Sequence, residues 1–456
     1  MKNILLVLLY ILPSYFYAQF GTEQIITTDA STARYVFAAD INGDGFIDAL
    51  SASDGDDNLA WYENIEDGPG NFGPKKIITN FLDQTRFVTA ADLDGDGDMD
   101  VLSLSGASDI VVWYENLDGL GTFSSVNQIS NQTDGVVSVD AADLDGDGDM
   151  DVLSASWVDG KIAWYENIDG LGSFGPQQII TINSPKDVIA VDIDGDGDMD
   201  VLVAATAADK LLWFENIDGE GNFGAEHLIT TLADGVETIF SIDIDGDGDM
   251  DVLSGLPGVN IIDWYENLDG IGNFGPQQII STNIDAVFQI FATDLDNDGD
   301  ADVLSASSAD NKVAWYENLD GLGSFGPQQI ISTDAEGPRS VYAADLDGDN
   351  YKDVLSASII DSKIAWYKNL TYLGLNDNLH NNQIKLFPNP AQNILYLENN
   401  SGYTINTLKV YDVLGRLVLQ KNNPTKQLDI SNLDSGMLLV HLETSNGVLV
   451  KKVIKE

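Results

Sequence analysis

The stretch Asp92-Leu93-Asp94-Gly95-Asp96-Gly97-Asp98-Met99-Asp100 sets carboxylates on every second residue and fills two of the gaps with glycine. Carboxylates at positions 1, 3, 5 and 9, with a main-chain carbonyl at 7, can wrap a hard cation that takes about six to eight oxygens. Position 6 must turn sharply, and glycine reaches positive φ there at no steric cost. Loops of this kind begin at Asp40, Asp92, Asp143, Asp192, Asp243, Asp294 and Asp345, in steps of 52, 51, 49, 51, 51 and 51 residues. A tryptophan follows each first aspartate by 21 positions, at Trp61, Trp113, Trp164, Trp213, Trp264, Trp315 and Trp366, and only Trp157 stands outside that series.

Between loops, each unit carries four short runs of strand character. In the second copy these are Phe87 to Asp92, Val101 to Leu104, Ile110 to Glu115 and, after a Gly-rich turn, Phe123 to Ile129. Four antiparallel strands in about 50 residues describe a propeller blade. The fourth run, Phe-Gly followed by Ile-Ile, is missing after the seventh tryptophan, whereas Phe20-Gly21 to Ile25-Ile26 precedes the first blade without a blade of its own. An N-terminal strand that completes the last blade would close the ring and leave no exposed sheet edge. The expected architecture is all-β: a seven-bladed calcium-binding β-propeller over residues 19–374, a linker at 375–384 and a small C-terminal β-sandwich at 385–456.

Variation among the copies separates the ligand roles. Positions 1, 3, 5, 7 and 9 are Asp40, Asn42, Asp44, Phe46 and Asp48 in the first copy and Asp92, Asp94, Asp96, Asp98 and Asp100 in the second. They are Asp143, Asp145, Asp147, Asp149 and Asp151 in the third, and Asp192, Asp194, Asp196, Asp198 and Asp200 in the fourth. The fifth has Asp243, Asp245, Asp247, Asp249 and Asp251, the sixth Asp294, Asp296, Asp298, Asp300 and Asp302, and the seventh Asp345, Asp347, Asp349, Tyr351 and Asp353. Aspartate never leaves positions 1, 5 and 9, while position 7 accepts Phe46 and Tyr351, as a main-chain ligand allows. Asn350 at position 6 of the last copy tolerates the left-handed conformation. Magnesium demands tighter octahedral geometry and fewer carboxylates, so about seven structural Ca²⁺ ions are the expectation.

The chain has 456 residues, no cysteine and a formal net charge of −53. That charge repels phosphates and argues against a nucleic-acid partner. Without cysteine there is no disulfide, thiol nucleophile or thiolate metal site. Residues 19–374 hold 67 acidic and 12 basic residues, and 32 of the acids lie in the seven loops. Lys2, the apolar run Ile4 to Ile11 and Ala18 read as a cleaved secretory signal over residues 1–18, and no later run is long enough to cross a bilayer.

With Asp-x-Asp/Asn-x-Asp-Gly-x-x-Asp loops and Phe-Gly starts, residues 19–374 resemble FG-GAP (VCBS-like) repeats of the integrin-type β-propeller. The resemblance implies calcium held between the first two strands of each blade in a structural role. Family members include adhesion receptors, lectins and accessory domains of enzymes, so no ligand follows from it. Leu386-Phe387-Pro388-Asn389-Pro390, Val410-Tyr411-Asp412-Val413-Leu414-Gly415-Arg416 and Lys451-Lys452-Val453-Ile454 resemble the type A sorting domain of the Bacteroidetes type IX secretion system. Gly436-Met437 stands where that family usually has Gly-Tyr. The resemblance implies the secretion machinery as a partner and a secreted or outer-surface location.

For catalysis the inventory is poor. His227, His380 and His441 fall in a fourth strand, the linker and the C-terminal module, where they form no triad with one another. The loop aspartates would be engaged as metal ligands. Adhesion, or binding of an extracellular glycan or protein by a rigid scaffold, is the expected function. The alternative is a calcium-dependent, lyase-like polysaccharide-degrading enzyme. Strand direction gives the expected place. Loops between strands 1 and 2 and between strands 3 and 4 share one face of the ring, and the remaining connections share the other. The second set differs from copy to copy: Ser105 to Asp109, Trp157 to Gly160, Leu256 to Asn260, Ile359 to Ser362, Asn183 to Asp187 and Ala335 to Arg339 have little in common. Trp157, with Lys161 and Lys186 as its expected neighbours, is the candidate ligand-binding group.

Overall fold

The computed structural model describes residues 19–65, 70–182, 184–371, 384–399, 405–412, 416–422, 424, 426–433, 436–444 and 447–455. The expected signal segment and nearly all of the expected linker lie outside the described residues. Contacts divide the chain into two compact units, Ala18–Asn369 and one that holds Leu370–Glu456.

The first unit contains seven four-stranded antiparallel sheets, one per repeat. In the second repeat the order is Thr85–Ala91, Asp100–Ser105, Ile110–Tyr114, Asn127–Ser130. Every residue of Asp100–Ser105 is buried, which explains why the second strands read as unbroken apolar and small runs rather than as an alternating pattern. Successive side chains of a strand point to opposite faces, and here each face meets a neighbouring sheet. Val101 packs with Leu50, Trp61 and Val88, whereas Leu102 and Leu104 pack with Val136 and Val152. Seven such cores occur, each shared by two adjacent sheets, and the cycle closes where Ala33 and Val36 pack with Leu355 and Trp366. The arrangement is a β-propeller.

Closure uses the N-terminal strand. Gln24–Thr27 pairs antiparallel with Lys363–Tyr367, setting Gln24 opposite Trp366, and so fills the outer position that the seventh repeat leaves empty. Phe20 meets the Trp315 ring edge-on at 6.2 Å, and Glu23 takes an ion pair from the buried Lys363 at 2.8 Å.

The fourth strands are shorter than the sequence predicts. Phe123 makes one isolated bridge to Asn116, and the strand proper covers only Asn127–Ser130. In four copies the Phe-Gly pair is followed by proline, Pro74, Pro176, Pro276 or Pro327, which has no amide for the ladder. In the second copy, Ser124 Oγ accepts the Glu115 amide at 3.0 Å. Only the fourth repeat, with Ala225 in place of proline, carries a continuous strand, Phe223–Thr230.

The second unit has a three-stranded sheet (Ile384–Phe387, Ile394–Asn399, Gln427–Asp429) and a four-stranded one in the order Leu417–Asn422, Ile405–Asp412, Gly436–Thr444, Gly447–Lys455. Leu395 and Leu397 of the first share a core with Leu408, Val410, Val440 and Val453 of the second, which makes a small β-sandwich.

Candidate functional site

The loop at 92–100 is built by its own amides. Gly95 and Gly97 donate to the two oxygens of Asp92 at 2.8 and 3.0 Å, Asp96 donates to Asp94 at 3.3 Å, and Asp98 donates to Asp96 at 2.9 Å. The turns need positive φ, which Gly95 (73°) and Gly97 (96°) supply. Asn297 (64°) and Asn350 (67°) supply it where glycine is replaced, as expected for Asn350. Position 9 has a second task. Asp100 accepts the Leu93 amide at 2.9 Å on one oxygen and the Asn116 amide at 2.8 Å on the other, which ties both ends of the loop to the third strand.

This folding gathers like charges. Ligand atoms of Asp143, Asp145 and Asp151 lie within 4.8 Å of one another, as do those of Asp192, Asp194 and Asp200 and of the matching trios in the fifth and sixth copies. Burial pushes the position-9 carboxyls up to about 7 at Asp48, Asp100, Asp151, Asp200 and Asp251, and to about 8 at Asp302 and Asp353. Asp94 is raised by burial and by its neighbours Asp96, Glu115 and Asp92. A cation of oxygen preference fits this donor set, since it would relieve both the desolvation and the repulsion.

Two residues of the site escaped sequence reasoning although both recur. The first is a glutamate two places after the tryptophan, at Glu63, Glu115, Glu166, Glu215, Glu266 and Glu317. It stands beside position 3 of its own loop, and in the first copy Asn42 Nδ2 donates to Glu63 at 3.3 Å. The seventh copy has Lys368 there. Its ammonium pairs with Asp347 and lies 3.2 Å from Asp349, so this loop already holds a cation of the protein's own. The second missed residue is the next one along, a fully buried asparagine. Asn116 Nδ2 donates to the Ile41 carbonyl of the preceding loop at 2.8 Å, and Asn167, Asn216, Asn267, Asn318 and Asn369 each reach back one blade in the same way. Asn64 completes the circle by donating to Leu346 at 2.7 Å.

The repeated tryptophans are packing residues. A Cβ on Gly121 would lie 2.2 Å from the Trp61 ring of the preceding blade, and Gly172, Gly221, Gly272 and Gly323 cover Trp113, Trp164, Trp213 and Trp264 equally closely. The other glycine of the turn meets the loop: a Cβ on Gly119 would touch the Asp98 carboxylate at 2.4 Å. The acidic loops and the Asp-Gly turns therefore share one end of the propeller.

The first strands bring their other ends together around a cavity of about 370 Å³, lined among others by Arg34, Arg86, Trp157, Lys186, Glu237 and Arg339. Trp157 is 43% exposed, and Lys186 Nζ lies 4.6 Å from its ring centroid. Lys161 does not join them. It pairs with Asp159 at 2.7 Å, donates to the Gln132 carbonyl and is not part of the cavity lining. The His227 ring lies tilted against Trp213, with centroids 4.5 Å apart, and faces Glu215 at 3.7 Å, on the outer strand of its sheet.

Fold and loops together define a β-propeller of acidic-loop repeats joined to a small β-sandwich. The FG-GAP-like repeat family profile matches residues 40–103, 92–154, 143–203, 192–254 and 294–356, and the chain belongs to that family. Residues 385–456 match the secretion system C-terminal sorting domain, the signal for type IX export to the secreted or cell-surface compartment. No curated protein matches the chain. Among solved structures, the chain is similar to an Agrocybe aegerita lectin described as recognising non-reducing terminal N-acetylglucosamine. That match has 20% identity and a TM-score of 0.50, and covers 67% of this chain and 81% of the lectin. It is also similar to BBS1N, crystallised in complex with ARL6DN (11%, 0.54, covering 79% and 99%). A third is virginiamycin B lyase from Staphylococcus aureus (11%, 0.53, covering 76% and 99%). At these identities the likeness is one of fold. Among the described residues no helix is long and apolar enough to cross a membrane.

Proposed function

We propose that the protein is a calcium-stabilised recognition module, delivered through its sorting domain and binding an extracellular glycan or protein without catalysis. The observation that carries this is the contrast along one set of strands. The acidic-loop end repeats almost unchanged, while equivalent positions at the other end read Arg34, Arg86, Val137, Lys186, Glu237, Phe288 and Arg339. Repeats that keep a scaffold and diverge at one face provide a binding surface on a rigid frame. Calcium would be held by positions 1, 3, 5 and 9 and the carbonyl of position 7, and would supply charge neutralisation and loop order. Six loops are open to it in this reading, and Lys368 competes in the seventh. Trp157 and Lys186 belong to the binding end, whereas Lys161 supports its own turn. Screening the calcium-loaded full chain on a glycan array and against surface-protein extracts tests the proposal. Binding that Trp157→Ala weakens supports it. Turnover of a polysaccharide with release of unsaturated ends would replace it with the lyase alternative.

A further inference from the structure

All three arginines between residues 19 and 374 line the one cavity at the variable end, in a chain of net charge −53. They come from three consecutive blades, the seventh, first and second, and so form an arc. Arg34 and Arg86 share a single carboxylate, Asp54, at 3.3 and 3.4 Å. Arg339 is in contact with no carboxylate among the described residues; Glu237 acts on it, and on Arg34, only at longer range. Its guanidinium lies 3.4 Å over the Phe288 ring, its Nε is buried without a hydrogen-bond partner, and it forms no ion pair. Burial and the nearby Arg34 lower its proton affinity to about 10, so the cluster is held together against its own repulsion.

The carboxylates on the cavity wall do not satisfy this group. Glu237 faces Lys186 at 3.7 Å. Asp140 accepts the Ala141 and Ala190 amides, and Asp187 accepts the Ser138 hydroxyl and the Ile239 amide. Nε of Arg339 and of Arg86 are buried without hydrogen-bond partners, and a planar guanidinium suits a bidentate carboxylate. Three blades round the ring from Arg34, Lys186 Nζ lies 4.6 Å from the ring centroid of Trp157, whose side chain stays 43% exposed. Polar donors on one side and an accessible indole on the other are the pairing that holds a sugar ring with one charged substituent.

We infer that this cavity binds a terminal acidic sugar of a glycan, with the arginine arc taking the carboxylate and Trp157 the ring; the inference rests on the variable end being the recognition surface. A single charge at a chain end suits the site better than an extended polyanion, which the net charge of −53 would repel. The cavity is of a size for one or two sugar rings, near the lower end of the roughly 300–1,000 Å³ range of small-ligand pockets.

The test is calorimetry on the calcium-loaded full chain with D-glucuronate and D-galacturonate as probes, D-glucose as the neutral match and acetate as the anion without a ring. One uronate should bind at one equivalent, more weakly as salt rises, with glucose and acetate each weaker by about tenfold or more. Arg339→Gln and Arg34→Gln should cost about tenfold or more as well, without lowering the melting temperature, and Leu171→Ala on the acidic-loop end should change nothing. Failure of both uronates to bind, acetate binding as well as they do, or an unaltered Arg339→Gln affinity overturns the inference. Glucose binding equally well, with sensitivity to Trp157→Ala, also overturns it but leaves the recognition module standing. Loss of both readings requires that no glycan or protein ligand depend on Trp157.

Discussion

The strand Thr85–Ala91 joins two regions that obey different rules. At its C-terminal end the chain enters a loop whose turn amides meet carboxylates and whose positive-φ turns are made by glycine, or by Asn297 and Asn350, in a pattern that recurs seven times. At its N-terminal end the equivalent residues range from arginine and lysine to valine, glutamate and phenylalanine, and Arg339 Nε is left without a hydrogen-bond partner. In the first region a change in one copy disturbs the next blade, because the asparagine hooks and the glycine over each tryptophan act between blades. In the second, each residue answers only to the cavity. The lesson is that identical repeats assign stability to the end where they agree and leave the other end free to differ.

The largest expected effect comes from emptying the loops. With six sites each filled at about a hundredfold excess over the dissociation constant, calcium contributes roughly 16 kcal/mol by mass action, so a chelator should lower the melting temperature by tens of degrees. A melt indifferent to chelator would mean that the charged loops hold the ring unaided.

Next is a pair of substitutions, one at each end. Gly221→Ala sets a Cβ 2.2 Å from the Trp164 ring at a φ of 71°, and about 3 kcal/mol or more of stability should be lost in denaturant unfolding. Arg339→Gln, at the mouth, should change stability by no more than about 0.5 kcal/mol. Equal losses at both positions would erase the distinction between the ends.

The smallest effect is a pH dependence from the cavity wall. Burial raises Asp140 and Asp187 to about 6, so the folded state holds protons that the unfolded chain releases nearer 4. For a raised carboxyl the protonated form favours folding at low pH, and that contribution fades as pH rises through 6. Relative to the Asp140→Asn, Asp187→Asn double variant, the calcium-loaded protein should therefore lose about 1–3 kcal/mol of stability between about pH 5 and 7. A flat difference would show that the five hydrogen bonds these residues accept already offset their burial.

Much of this was legible in sequence. Spacing of the aspartates defines the repeat, the missing Phe-Gly run after Trp366 locates the closing strand, and antiparallel direction alone assigns loops to ends. Other features were hidden for physical reasons. Asn116 recurs as faithfully as the tryptophans, but its partner, the Ile41 carbonyl, lies in another repeat and carries no side-chain signature. Lys368 was visible as the odd residue in a glutamate series, yet its meaning depends on its ammonium reaching Asp347 and Asp349. Lys161 looked like a neighbour of Trp157 by proximity in sequence, and the turn between them sends its side chain to Asp159 instead. Arg34, Arg86 and Arg339 are far apart in the chain, and only ring closure makes them an arc.

The claim at the centre of this account is that the repeated end is a calcium scaffold whose seventh loop is filled by lysine. Native mass spectrometry at micromolar free calcium counts the ions directly. Six Ca²⁺ per chain are expected, rising to seven in Lys368→Glu, which restores the carboxylate the other six copies carry. No bound calcium, or a count that Lys368→Glu leaves unchanged, would contradict it.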